Sequence, residues 1–67
     1  MKTYDRNRNA ISTGSMVMVA DNGAMGVIKA IHADGKTAEQ TRRTECVEIE
    51  GHQGLYCPLS LIRLGFN

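Results

Sequence analysis

Gly14-Ser15-Met16-Val17-Met18-Val19-Ala20-Asp21-Asn22-Gly23-Ala24-Met25-Gly26-Val27-Ile28-Lys29-Ala30-Ile31 is the stretch that decides the fold. Two runs rich in Val, Ile and Met flank Asn22-Gly23, the dipeptide best suited to a turn that needs positive φ, because Gly has no Cβ to clash and Asn tolerates the left-handed region. The pattern predicts a β-hairpin. In a strand of period two, Val17 and Val19 line one face and Met16 and Met18 the other, so both faces are apolar. The second run is also apolar on both sides, with Ile28 and Ala30 opposite Val27, Lys29 and Ile31. One face is read as core and the other, with Met16, Met18 and Ile28 as candidates, as an interface.

Sixty-seven residues make one domain, and a chain this short buries only about 60% of the surface it exposes when unfolded. With Tyr4, Tyr56 and Phe66 as its aromatic residues and no Trp, the core is thin, and association between copies is the favoured source of extra stability. The net charge of +1 gives a weak long-range field, unlike that of a DNA-coating protein. No stretch approaches 18 apolar residues and the N-terminus lacks a signal-type hydrophobic segment, so the chain reads as a cytoplasmic protein without a membrane partner. Cys46, Cys57, His32 and His52 have neither a Cys-x-x-Cys nor a His-x-x-x-His spacing, and two reduced, partly buried thiols are expected rather than a metal site.

Residues 1–13 are polar and without periodicity, so a flexible arm is expected there, with Arg6 and Arg8 as phosphate-gripping candidates. After the hairpin, residues 32–44 read as a long loop carrying Asp34-Gly35, and Lys36, Arg42 and Arg43 are candidates for a small nucleic-acid-binding patch. Glu45-Cys46-Val47-Glu48-Ile49-Glu50 then alternates, with Val47 and Ile49 inward. A three-residue loop, Gly51 to Gln53, sets Ile49 opposite Leu55 and Val47 opposite Cys57. A register slipped by one would face the two cysteines at each other, within disulfide reach, where a bridge contributes roughly 3 kcal/mol. It would also put Leu55 on the glutamate face, so the first register is expected. Pro58-Leu59-Ser60-Leu61 suits a single helical turn, because Pro removes a ladder donor, and Ile62-Arg63-Leu64 makes a short last strand.

Strand, strand, long loop, strand, strand, helical turn and last strand is the order of an SH3-like five-stranded barrel over residues 14–67. Gly14-x-x-Val17-x-Val19, then Gly23 and Gly26-Val27, resembles the opening of KOW and Tudor domains; the KOW resemblance implies RNA or ribosome contact. A Tudor-type or proline-binding groove needs an aromatic cage that Tyr4, Tyr56 and Phe66 do not assemble. A second resemblance covers Gly14-x-x-Val17, Val47-Glu48-x-Glu50-x-His52-x-Gly54 and Leu55-Tyr56 through Leu61-x-Arg63-Leu64, which look similar to the plasmid-borne type II dihydrofolate reductases. That resemblance implies a homotetramer with a central pore for NADPH and dihydrofolate, with Tyr56 at the pore. Gln53-Gly54 stands where that family has Val-Gln, so fold and self-association follow from the resemblance more than activity does. The expectation is a self-associating, non-enzymatic interaction module for RNA, DNA or a protein. No catalytic residue and no cofactor are assigned, NADPH entering only under the reductase alternative.

Overall fold

The computed structural model describes residues 2–65; Phe66, counted above among the aromatics, lies outside the described residues. Six strands, β1 (Thr3–Tyr4), β2 (Ala10–Ile11), β3 (Met16–Val19), β4 (Met25–Ile31), β5 (Val47–Ile49) and β6 (Leu61–Arg63), are joined by one short helix, α1 (Ala38–Arg42), and a 3₁₀ turn at Pro58–Ser60. Strands β1 and β2 make a two-stranded sheet, and the order β5-β4-β3-β6 makes a four-stranded one, antiparallel throughout. The protein is therefore a mostly-β small domain with two sheets and a single α-helix among the described residues.

The hairpin at Asn22-Gly23 forms as the sequence predicts. Val19 and Ala24 close the turn through the Val19 N–H, Gly23 takes φ +74°, and the Asn22 side-chain oxygen accepts from the Ala24 N–H at 2.9 Å. Pairing of Val17 with Gly26 and of Met16 with Val27 sets the faces. Gly26 is needed there, because a Cβ on it would stand 2.5 Å from the Ile49 Cγ2 and 3.2 Å from the His52 ring. Two residues on, Ile28 shares the Gly26 face and is buried, so it belongs to the core and not to the interface expected of it. A bulge between Ile28 and Ala30 then changes the strand's parity, and Ile31 packs against the same core.

The core consists of Ile11, Val17, Val19, Ile28, Cys46, Val47, Ile49 and Leu61, with Ala24, Ile31 and Tyr56 packed on its edge. At roughly 1.5–3 kcal/mol per buried aliphatic side chain, so few residues leave a narrow margin. The opposite face of the large sheet carries Met16, Met18, Met25, Val27 and, from the pairing of Met18 with Ile62, Ile62 as well. Met16 and Met25 are 45% and 63% exposed.

Residues 1–13, expected as an arm outside the fold, are a packed hairpin over their described part. Thr3, Asp5 and Ile11 are fully buried. The Asp5 carboxylate explains this: it accepts from the backbone N–H groups of Asn7 (2.9 Å) and Asn9 (2.7 Å), and from that of Arg63 in β6 at 2.6 Å. A buried carboxylate is tolerable only with such donors. Here they tie the hairpin loop and the last strand to one point.

Candidate thiol site

The polar stretch after β4 is a loop that contains α1. Thr37 and Gln40 form a capping box, the Thr37 hydroxyl accepting from the Gln40 N–H at 3.2 Å and the Gln40 side chain from the Thr37 N–H at 2.9 Å. The helix is held on the N-terminal hairpin at two points. Thr3 donates its hydroxyl to the Ala38 carbonyl at 2.7 Å, and the buried Arg42 guanidinium donates to the Asp5 and Arg6 carbonyls at 3.1 and 3.2 Å. Arg42 is thus a structural strut, not a surface phosphate contact. Its fork of donors caps two successive backbone carbonyls, of which the bond to Asp5 is buried.

The last carbonyls of a short helix lack intrahelical α-type partners; at α1 the Thr41 carbonyl accepts from the Thr44 N–H at 3.1 Å, and the two cysteines add donors at Thr41 and Arg42. Cys46 Sγ donates to the Thr41 carbonyl at 3.4 Å, and Cys57 Sγ donates to the next carbonyl, Arg42, at 3.2 Å. The strand register brings them there. Tyr56 pairs with Val47, and both Cys46 N–H (3.1 Å) and Val47 N–H (2.9 Å) donate to the Tyr56 carbonyl, which makes a bulge at Cys46. This overturns the expected pairing of Val47 with Cys57: the register is shifted by one. Burial of Tyr56 against the core wins over burial of Leu55, which stands 45% exposed on the other side. Gly51 and Gly54, at φ +79° and +80°, allow the wider loop between.

Cys46 is buried and Cys57 half-buried, and both are free thiols. Burial pushes the Cys46 thiol up, the neighbouring Cys57 sulfur adds to the rise, and Lys36 opposes it. A thiol so placed rests protonated, its S–H on a carbonyl. The more exposed Cys57 is the sulfur a reagent meets first. Neither histidine joins the pair: His32 Nε2 lies 3.2 Å from Glu48 Oε1, and His52 Nε2 donates to the Met25 carbonyl at 3.1 Å.

The other residues singled out in the sequence are dispersed around this site. Arg6, Lys36 and Arg43 are exposed. Arg8 pairs with Glu39 at 2.8 Å; that hydrogen bond, with Arg42 and Arg43 adding smaller charge effects, holds the Glu39 carboxyl below its ordinary range. Arg8 is therefore paired with a carboxylate that offsets its charge, and Arg42 and Arg43 act on that carboxylate only weakly. Met18 and Tyr56 are half-buried, and Tyr56 meets His52 edge-on at 6.2 Å. Asp5, Thr41 and the two-cysteine arrangement escape sequence reasoning. Thr37-x-x-Gln40 is the one signal that announces α1 and, with it, carbonyls for the thiols.

A family model described as "YdfZ protein" matches residues 2–65, and the chain belongs to the YdfZ family. Proteins described as "Putative selenoprotein YdfZ" from Escherichia coli strain K12, from Escherichia coli O6:H1 strain CFT073 and from Shigella flexneri are each 57% identical to it over 67 residues, covering the whole of both chains. No solved structure matches this chain.

Proposed function

We propose that this protein is a non-enzymatic selenium-holding module whose ligands are the sulfurs of Cys46 and Cys57. The observation that carries the reading is the convergence of the two thiols on successive carbonyls of α1. The relatives' printed description, "Putative selenoprotein YdfZ", suggests the element, and the two cysteines are the side chains here able to bond it covalently in a reversible way. The chemistry is an exchange. Cys57 attacks the selenium of a bis(thiolato)selenium compound, RS–Se–SR; a Cys57 S–Se bond forms, one Se–SR bond breaks, and RSH leaves with the Cys57 proton. Cys46 repeats the step on the same selenium and expels the second RSH, leaving Cys57–S–Se–S–Cys46. Nothing is oxidised or reduced overall. The test is to incubate the protein with such a compound, remove the excess, and weigh the intact chain. A gain of a single selenium with loss of both thiol protons is expected, with an open mixed adduct in Cys46→Ser and nothing in Cys57→Ser. Equal uptake by both variants and the wild type overturns the reading.

The scaffold is proposed to be an SH3-like small barrel. Pairing of the last strand with β3, a 3₁₀ turn before it and the bridge from Tyr56 to β5 support this. A self-associating or protein-binding role on the face of Met16, Met18 and Met25 is the second reading, favoured by the exposure of Met16 and Met25. Light scattering across a dilution series, with NADPH added to one arm, tests it: a mass that falls on dilution in the wild type and is already monomeric in Met16→Glu, Met25→Glu supports it. A cofactor-bound tetramer would instead bring forward the reductase alternative. The RNA or DNA reading retains Arg6, Lys36 and Arg43, and a steep loss of affinity with salt is its signature.

A further inference from the structure

We propose that the hollow between the β2–β3 turn and β6 is a phosphate-binding site. Its volume is about 360 Å³, within the range of small-ligand pockets. Lys2, Ser12, Thr13, Ser15 and Arg63 line it over a floor that includes Ala10. Every one of those polar side chains has a donor to offer, and no carboxylate among the described residues lines the hollow. Among the described residues neither Lys2 nor Arg63 makes an ion pair.

Arg63 lines the hollow and is under-used. Its Nη1 donates to the Ala10 carbonyl at 3.2 Å, which fixes the plane of the guanidinium, and among the described residues Nη2 makes no hydrogen bond and the buried Nε has no partner. The nearest acid, Asp5, is spent on backbone N–H groups, including that of Arg63 itself. The turn contributes hydroxyls in the same way. Ser15 Oγ accepts from the Ser12 N–H at 3.1 Å, so its own proton is free to point outward, and the Ser12 and Thr13 hydroxyls are not engaged elsewhere among the described residues. Donors from Lys2, from the β2–β3 turn and from β6, two of them cationic, suit a phosphoryl group, whose oxygens accept in three directions, better than a planar carboxylate. The chemistry is that of a phosphate, supplied either by a phosphorylated small molecule or by a nucleic-acid backbone.

Amide NMR titration with inorganic phosphate tests the site at constant ionic strength. Saturable shifts confined to Ser12–Ser15 and Arg63 are expected in the wild type, with affinity roughly tenfold weaker in Lys2→Gln, which removes one charge-assisted donor from an exposed position and leaves the fold alone. Arg63→Gln should abolish the saturable component. A parallel arm with a short single-stranded oligonucleotide identifies the source: tighter binding at the same amides, competed by phosphate, assigns it to a nucleic-acid backbone, and binding of phosphate alone assigns it to a small molecule. Shifts that are absent, that fail to saturate, or that persist unchanged in Lys2→Gln overturn the proposal.

Discussion

Replacing Asp5 with Ala tests the packing argument at its most loaded point. The carboxylate is fully buried and accepts from Asn7, Asn9 and Arg63 backbone N–H groups at 2.9, 2.7 and 2.6 Å. After truncation, water reaches the two loop amides easily, because Asn7 and Asn9 are exposed, and each loss there costs about 1 kcal/mol. The Arg63 amide is different. It sits on β6 with no solvent path as good, and leaving it unpaired costs about 1–3 kcal/mol. The sum is about 3–5 kcal/mol, against a total of roughly 3–10 kcal/mol expected for a domain of this length. Urea unfolding followed by far-UV circular dichroism, with a slope of about 1 kcal/mol/M, should show the midpoint falling by about 3 M or the variant unfolded in buffer. Asp5→Asn keeps one acceptor oxygen but turns an amide toward a donor, and should lose about half as much. An Asp5→Ala protein within 1 kcal/mol of the wild type would refute the reasoning.

Three further outcomes follow from particular contacts. Gly26→Ala drives a methyl into Ile49 Cγ2 and should cost about 1–3 kcal/mol by the same urea assay. Because the folded Cys46 thiol titrates above its ordinary value, chiefly through burial, its contribution to stability is complete below the unfolded thiol pKa and is lost as pH rises through the folded one. Thermal melts above about pH 8.5 should therefore decline in the wild type and decline less in Cys46→Ser. Glu48 is held below its ordinary range first by the hydrogen bond from His32 and then by Lys29; its small contribution is present above the unfolded carboxyl pKa and fades as pH falls through the folded one. Carboxyl-detected NMR should place its midpoint lower than in His32→Ala.

The first hairpin, the inward pair Val47 and Ile49 and the turn at Pro58 were legible because each rests on local rules: a dipeptide that tolerates positive φ, a period of two, a missing N–H. The N-terminal hairpin was not. Its strands are two residues each, too short for a period, and what fixes them is a carboxylate bonded to an amide in β6, at the other end of the chain. The fate of Arg42 was hidden for the same reason, since its partners are backbone carbonyls of that hairpin. The register of the second hairpin turned on a competition between Leu55 and Tyr56 for the core, and hydrophobic alternation alone ranks Leu55 first. As the thiol site depends on that register and on α1, it came into view only once both were placed.

The most direct test of the central claim is the intact mass of the protein after exposure to a bis(thiolato)selenium compound, read together with the thiol count. The account predicts a single selenium bound, both thiols consumed, and release of the selenium with return of both thiols on adding excess small-molecule thiol. Selenium bound with Cys46 and Cys57 still free to alkylate would contradict it.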